Sequence, residues 1–558
     1  MFDLILIGQN AIEKHLRYKE LYKPKSMYWG LGIEDELYLE FDKKYEIDNN
    51  EFTTNHKRER YSVDYYSNYK PDDLKKAFEY AAKLLGNKKL PLPILLNSHS
   101  FTNTDANNKP KTKYTKKCEN NPEFSGKTLI ETLAENNSYF KQDIYSNWVF
   151  DGDTIEFPTY HFYNATLFNV INELNKNKQE FLENLKNSFS IINDFNNLEF
   201  GKVKIMDQNH SFATYMTNMK NVAMFNNGTL HYNLTLPTEL DENGLIKNRD
   251  KFIYDHNKAI KIIQWVEPLM LAVYGSPDPF STFAGFSDKT KYSNASVRCA
   301  VSRYIGIGTY DSDTMATGKI LTIPKETCAF NDLEYWWFNQ YYKNNAYTEL
   351  NDIGMDINFN KHYNHGIEIR FLDHLTKNSQ IAESFAFIIY LMDFILESDK
   401  IQKFGNPIKN RTWNNLMLNV MKHGKKYNLA PIEIMMYNQI FNIRLQNTNI
   451  VQVYQELLKF FSGKFEQTGI FSALTLKKKS NPVIERQHAF TMNSFTKVPA
   501  INIPSEKTVP SEKTVPSEKT VPSEKTVPSE KTVKQNVEPE KMVQPVNQMS
   551  FLWRGMRK

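Results

Sequence analysis

Trp29-Gly30-Leu31-Gly32-Ile33-Glu34-Asp35-Glu36-Leu37-Tyr38-Leu39-Glu40-Phe41 has the alternation of a β-strand. Successive side chains on a strand point to opposite faces, so Ile33, Asp35, Leu37, Leu39 and Phe41 share one face and Glu34, Glu36, Tyr38 and Glu40 share the other. Two carboxylates at i and i+2, on a rigid element just after two glycines, could serve as oxygen ligands for a hard cation such as Mg²⁺. The same pattern also suits an edge strand with a solvated acidic face. Segments elsewhere in the chain bear on that choice.

Three later segments repeat the design. Residues 145–158 carry a turn signal at Asp151-Gly152 between two apolar pieces, and place Thr154 and Glu156 on one face. Residues 228–237, Gly-Thr-Leu-His-Tyr-Asn-Leu-Thr-Leu-Pro, put His231, Asn233 and Thr235 opposite Tyr232, Leu234 and Leu236. Residues 365–373 put Glu368 and Arg370 opposite Ile367, Ile369 and Phe371. If the four strands are neighbours in an antiparallel sheet, Glu34, Glu36, Glu156, His231 and Glu368 line one concave surface with Arg370 at its edge. Such a surface suits a divalent metal and phosphate, the guanidinium fork neutralising phosphate charge.

Around these strands the chain is mostly globular in character. It has 558 residues, 41% hydrophobic and 13% aromatic, enough for a large core or for two or three average domains. The net charge of +5 is small for this length and gives no indication of a nucleic-acid or acidic-membrane partner. Cys118, Cys299 and Cys328 lack both zinc spacing and disulfide density, which points to a reducing compartment. The apolar run at residues 4–7 is too short for a membrane span and has an acid where a signal peptide has bases. A soluble cytoplasmic protein is expected. Abundant Asn, Lys, Ile and Tyr suggest an AT-rich genome, as in certain parasites or large viruses.

Residues 1–27 read as a short strand and an amphipathic helix around residues 11–22, packing on a core that spans 28–495. Helices are expected at 71–85, 166–196, 265–274 and 379–396, with helical pattern continuing from 400 to about 475. Residues 102–126 read as a surface loop. Residues 496–558 form a tail in which five copies of Pro-Ser-Glu-Lys-Thr-Val occupy 504–533, with too little apolar surface to offset the entropy of ordering. Its apolar and basic end, residues 549–558, reads as an unstructured terminus or as a tethered peptide that docks a protein partner.

The motifs Gly32-Ile33-Glu34-Asp35-Glu36, Asp151-Gly152 through Glu156-Phe157-Pro158, Gly228-Thr229-Leu230-His231 and Gly366-Ile367-Glu368-Ile369-Arg370 stand in an order that resembles the carboxylate-amine ligase superfamily. That group includes glutamine synthetase, glutamate-cysteine ligase and the amidoligases, and the resemblance covers residues 28–400 through short motifs. It implies an α+β fold in which a curved antiparallel sheet flanked by helices holds two or three Mg²⁺ or Mn²⁺ ions between ATP and substrate. Glu34, Glu36, Glu156, His231 and Glu368 would be metal ligands. Arg370 and Arg303 would stabilise transferred charge, and Arg298 is a further candidate for the substrate carboxylate or phosphate. Where the family often has His-x-His, this chain has Asn233 in the second place, which weakens or replaces a nucleotide-phosphate contact. The implied reaction joins a small-molecule or peptide carboxylate to an amine through an acyl phosphate.

Two other classes compete with the ligase: a non-catalytic scaffold that keeps the sheet, and a metal-dependent phosphotransferase. Asn233 and the tail favour the scaffold, whereas several like charges facing one cleft oppose it, since clustered carboxylates repel unless a cation binds. His362, His365 and His374 lack the frame of a zinc site and read as loop residues. Gly306-Ile307-Gly308 reads as turn chemistry, and Trp336-Trp337 as core.

Overall fold

The computed structural model describes residues 27–48, 53–55, 89–96, 129–141, 146–151, 154–160, 165–191, 200–206, 212–216, 218–224, 228–239, 247–277, 294–296, 317–318, 346–347, 367–396, 405, 407 and 410–464. All of them lie in the first of two compact units, Met1–Ile501. The expectations for residues 1–26, 71–85, 102–126 and the repeat tail fall outside the described residues, as do Arg298, Arg303, His362, His365, residues 306–308 and Trp336-Trp337.

In chain order the strands and helices are β1 Met27–Leu37, β2 Leu39–Asp48, β3 Thr53–Asn55, β4 Lys89–Leu96, α1 Leu129–Asn136, β5 Val149–Asp151, β6 Thr154–Pro158 and α2 Leu167–Ile191. Then come β7 Val203–Ile205, β8 Phe212–Tyr215, β9 Asn218–Met224, β10 Thr229–Glu239, α3 Arg249–Tyr274, and the two-residue pair β11 Thr317–Gly318 and β12 Ala346–Tyr347. The last are β13 Ile367–Asp373, α4 Asn378–Leu396, α5 Arg411–His423, α6 Pro431–Phe441 and α7 Ile450–Lys464. The class is α+β, with open sheets.

The four expected strands are neighbours. They form a five-stranded antiparallel sheet in the order β13-β10-β1-β6-β5. β1 is therefore interior, and the reading of it as a solvated edge does not hold. One strand over 29–41 does not hold either: the ladder breaks at Tyr38, and β2 leaves for a separate mixed sheet, β3-β9-β8-β4-β2-β7. That sheet contains the parallel pairs β3–β9 and β4–β8. Glu40 belongs to it and ion-pairs with Lys44 at 2.6 Å and Lys204 at 3.2 Å, away from the partners of Glu34 and Glu36.

A layer of helices covers one face of the five-stranded sheet. α2 packs on β1 and β6, α3 packs on β10 and β13, and α4 packs among α2, α3 and α7. The apolar strand faces dictate this, since Ile33, Phe157, Leu230, Tyr232, Leu234 and Ile369 must leave water and the helices bring matching stripes. Tyr232 stacks on Phe385 of α4 with centroids 4.2 Å apart and gives its hydroxyl to a contact with Ser384 at 2.6 Å. The α2 stripe runs Leu167, Val170, Ile171, Leu174, Lys178, Phe181, Leu185, a helical period with one lysine inside it.

The expected helix over 265–274 is longer, beginning at Arg249. The Asn248 side chain accepts from Lys251 N at 3.0 Å and caps its start, and Pro268 sits inside it. The helical region after residue 400 resolves into α5, α6 and α7. Among the described residues one helix, α4, is long and apolar enough to cross a bilayer, and its most apolar window is 72% buried inside the fold.

Candidate metal centre

The face of the sheet opposite the helices carries the acids, and the ladder fixes their neighbours. Across one row Glu156 lies opposite Glu36, Glu36 opposite Thr229, and Thr229 opposite Asp373. Along the next, Glu34 lies opposite His231. In the third, Gly32 lies opposite Asn233 and Asn233 opposite Glu368. Directly paired residues share a face, so strands far apart in sequence present their polar groups together. Gly228 makes this approach possible. A Cβ there would stand 2.0 Å from the Glu36 carbonyl oxygen, so a side chain at 228 would push β10 off β1.

Glu34, Glu36, His231, Asn233 and Glu368 are buried, and Glu156 is half-buried. One oxygen each from Glu34 and Glu368 and a ring nitrogen of His231 lie within 4.8 Å of one another. His231 Nδ1 stands 3.4 Å from Glu34 Oε2 and 3.5 Å from Glu368 Oε1, longer than a well-formed hydrogen bond. Asn233 Nδ2 donates to Glu34 Oε1 at 3.3 Å, and Thr229 Oγ1 donates to Glu36 Oε2 at 2.6 Å. Arg370 Nη1 donates to Glu368 Oε1 at 3.2 Å, so the guanidinium sits against one member of the trio. Burial, followed by the Arg370 charge, lowers the His231 pKa against the opposing pull of Glu34, Glu36 and Glu368.

These donors fit a divalent ion. Two carboxylates and an imidazole converge in a buried place, and carboxylates with a neutral imidazole are ligands for Mn²⁺-like ions. Glu36 and Glu156 stand beside that trio in the same sheet face. Arg298 and Arg303 lie outside the described residues.

Behind the sheet is a group that sequence reading passed over. Asp35, on the apolar face of β1, is fully buried, and its carboxylate takes Lys178 of α2 and His374 Nδ1, the latter at 3.0 Å. Burial pushes the Asp35 carboxyl up, but Lys178 and His374 together outweigh it and hold the group at about 2. His374 lies in the connection after β13, as the sequence suggested, and from there anchors β1. The signal was present: an acid on an apolar strand face and a lysine in an apolar helix stripe predict each other.

Asp373 is the second omission. Period-two alternation puts it with Ile367 and Ile369, but an irregularity in the β10–β13 pairing between Leu230 and Tyr232 sets two β13 residues against His231. Beyond it Leu372 pairs with Leu230 on the helix side and Asp373 with Thr229 on the acidic side, where Asp373 Oδ2 accepts from Ser276 N at 3.0 Å.

Fold and site together define an α+β protein with a buried carboxylate–imidazole cluster on the face of an antiparallel sheet opposite the described helices. The chain is 37% identical over 456 residues to "Uncharacterized protein R704" of Acanthamoeba polyphaga mimivirus, a match covering 80% of this chain and 77% of that protein. It belongs to the family of that giant-virus protein. The viral source of this relative is compatible with the large-virus origin expected from the residue usage. No protein-family model matches the chain, and no solved structure matches it.

Proposed function

We propose that the chain is an ATP-dependent carboxylate-amine ligase with a glutamine synthetase-like catalytic core, acting in the cytoplasm on a small-molecule or peptide carboxylate and an amine. One observation carries this reading: β13, β10, β1 and β6 are consecutive in one sheet and bring Glu368, His231, Glu34, Glu36 and Glu156 to one face of it. Two or three Mg²⁺ or Mn²⁺ ions, held by those five residues, would neutralise the phosphates of ATP and charge on the transferred group. The carboxylate oxygen attacks the γ-phosphorus as the bond to ADP breaks. The amine nitrogen then attacks the acyl carbon, phosphate leaves with the bonding pair, and the nitrogen gives up a proton.

The residues divide the work by position. Arg370, held against Glu368, would stabilise charge on the phosphoryl oxygens. Asn233 holds one oxygen of Glu34, leaving the other beside His231. Arg303 and Arg298 are assigned the substrate carboxylate or the phosphate from their place in the sequence. The rigid sheet keeps the two reactants in line.

Incubating the full chain with Mg²⁺ or Mn²⁺, ATP, a panel of carboxylic acids and hydroxylamine should yield ADP and a hydroxamate for at least one acid. ADP without hydroxamate across the panel would favour a phosphotransferase, and no turnover with any acid would end the ligase reading.

A further inference from the structure

Thr229 stands between two members of the cluster. Its Oγ1 lies 2.6 Å from Glu36 Oε2 and 3.0 Å from His231 Nε2, and it is almost fully buried. A hydroxyl has one proton and two lone pairs. The 2.6 Å contact has the length of a hydroxyl donating to a carboxylate, so that proton belongs to Glu36. Towards His231 the hydroxyl can then only accept, and Nε2 must carry a hydrogen. This holds whether or not the other ring nitrogen is protonated. The ring atom left to give a lone pair is Nδ1, the one that faces Glu34 and Glu368.

We infer that Thr229 is a positioning residue for the metal centre: by donating its hydroxyl hydrogen bond to Glu36 and accepting one from His231 Nε2–H, it presents His231 Nδ1 to the ion. The inference rests on the metal reading of the site. It deepens that reading by tying the tautomer of one proposed ligand, His231, to the hydrogen bond that holds another, Glu36. A threonine two residues before the histidine shares its strand face, and the β1 register brings Glu36 to the same hydroxyl.

The test uses the full chain, metal-free and labelled with ¹⁵N-histidine. Long-range ¹H–¹⁵N correlation distinguishes a protonated ring nitrogen from a bare one, and the His231 signal is identified by its loss in His231→Gln. We expect a hydrogen on Nε2 in the unmodified chain. In Thr229→Val that assignment should be lost and Mn²⁺ affinity, read from the paramagnetic resonance of the free ion, should fall about 10–100-fold, the usual effect of removing a partner that orients a ligand. Thr229→Ser keeps the hydroxyl and should restore both. A bare Nε2 in the unmodified chain overturns the inference, as does unchanged Mn²⁺ affinity in a folded Thr229→Val. If Thr229→Val does not fold, the ring signal of the unmodified chain and the Ser variant still decide. Absence of Mn²⁺ binding by the unmodified chain overturns the metal reading instead, and the ring signal separates that failure from a wrong proton assignment.

Discussion

Replacing Lys178 with methionine tests the packing behind the site. Asp35 is fully buried between Glu34 and Glu36 in sequence, and Lys178 is its closest charged partner, with 8% of its side chain exposed. In the unmodified chain the carboxyl is held at about 2 against an ordinary 3.8, roughly 2 kcal/mol of favourable interaction at neutral pH. Methionine fills the stem's volume but strands the carboxylate with His374 alone of the two. Breaking a buried pair by removing one partner costs about 3–5 kcal/mol, a large part of the usual stability of a domain. At roughly 2 °C per kcal/mol for a large chain, the thermal midpoint should drop by about 6–10 °C. The dependence on pH has a definite sign. A depressed carboxyl adds stability that is full above its unfolded value and vanishes as pH falls through about 2. The variant lacks most of that term, and burial now raises its carboxyl, so its deficit is largest at neutral pH and shrinks on acidification as the group takes up a proton. Thermal denaturation of both chains at neutral and mildly acidic pH measures this, with Asp35→Asn/Lys178→Met as the neutral control that recovers part of the loss. A deficit below about 1 kcal/mol, or one independent of pH, would refute the argument, because either result means that the carboxylate is not the stranded charge.

Two further outcomes are expected at the site. Gly228→Ala sets a Cβ within 2.0 Å of backbone that cannot swing away, so it should lower the thermal midpoint and weaken Mn²⁺ binding together, and an unchanged midpoint in a denaturation scan would contradict the close approach of β10 to β1. Glu368→Gln and Glu36→Gln keep size and remove charge; each should abolish ligase turnover, and Glu368→Gln, whose carboxylate belongs to the trio, should also reduce Mn²⁺ affinity in a direct titration.

The sheet was legible because period-two alternation is strict wherever one face is buried, and Glu34, Glu36, Glu156, His231 and Glu368 all obey it. Their adjacency could be inferred from the common pattern but not the order of strands, which depends on pairings between distant segments such as Met27 with Glu239, Leu37 with Ile155 and Thr229 with Asp373. Tyr38 shows the limit of alternation: nothing in 29–41 breaks the pattern, yet the strand changes sheets there because β2 takes β4 and β7 as its neighbours, not β10 and β6. Asp373 shows another. One extra residue in β13 inverts the phase, and a local bulge leaves no mark on a hydrophobic pattern in which Phe371 and Leu372 are both apolar. Lys178 was legible in principle, since a lysine at a core position of an amphipathic helix needs an acid to meet it.

Glu34-Asp35-Glu36 is the arrangement on which both faces depend. Three consecutive acids on an interior strand would repel and desolvate at several kcal/mol if left to one another. Alternation divides them, one to the back and two to the front, and the fold treats the two sides differently. At the back an ammonium and an imidazole are fixed to Asp35, and the pair locks β1 against α2 and the end of β13. At the front the contacts include a threonine hydroxyl on Glu36, an amide on Glu34 and the long approaches of His231, with the Arg370 guanidinium on Glu368. The same strand thus anchors itself through its middle acid and carries its outer two on the other face, which is why the back-face pair and the front-face cluster should fail together when β1 shifts.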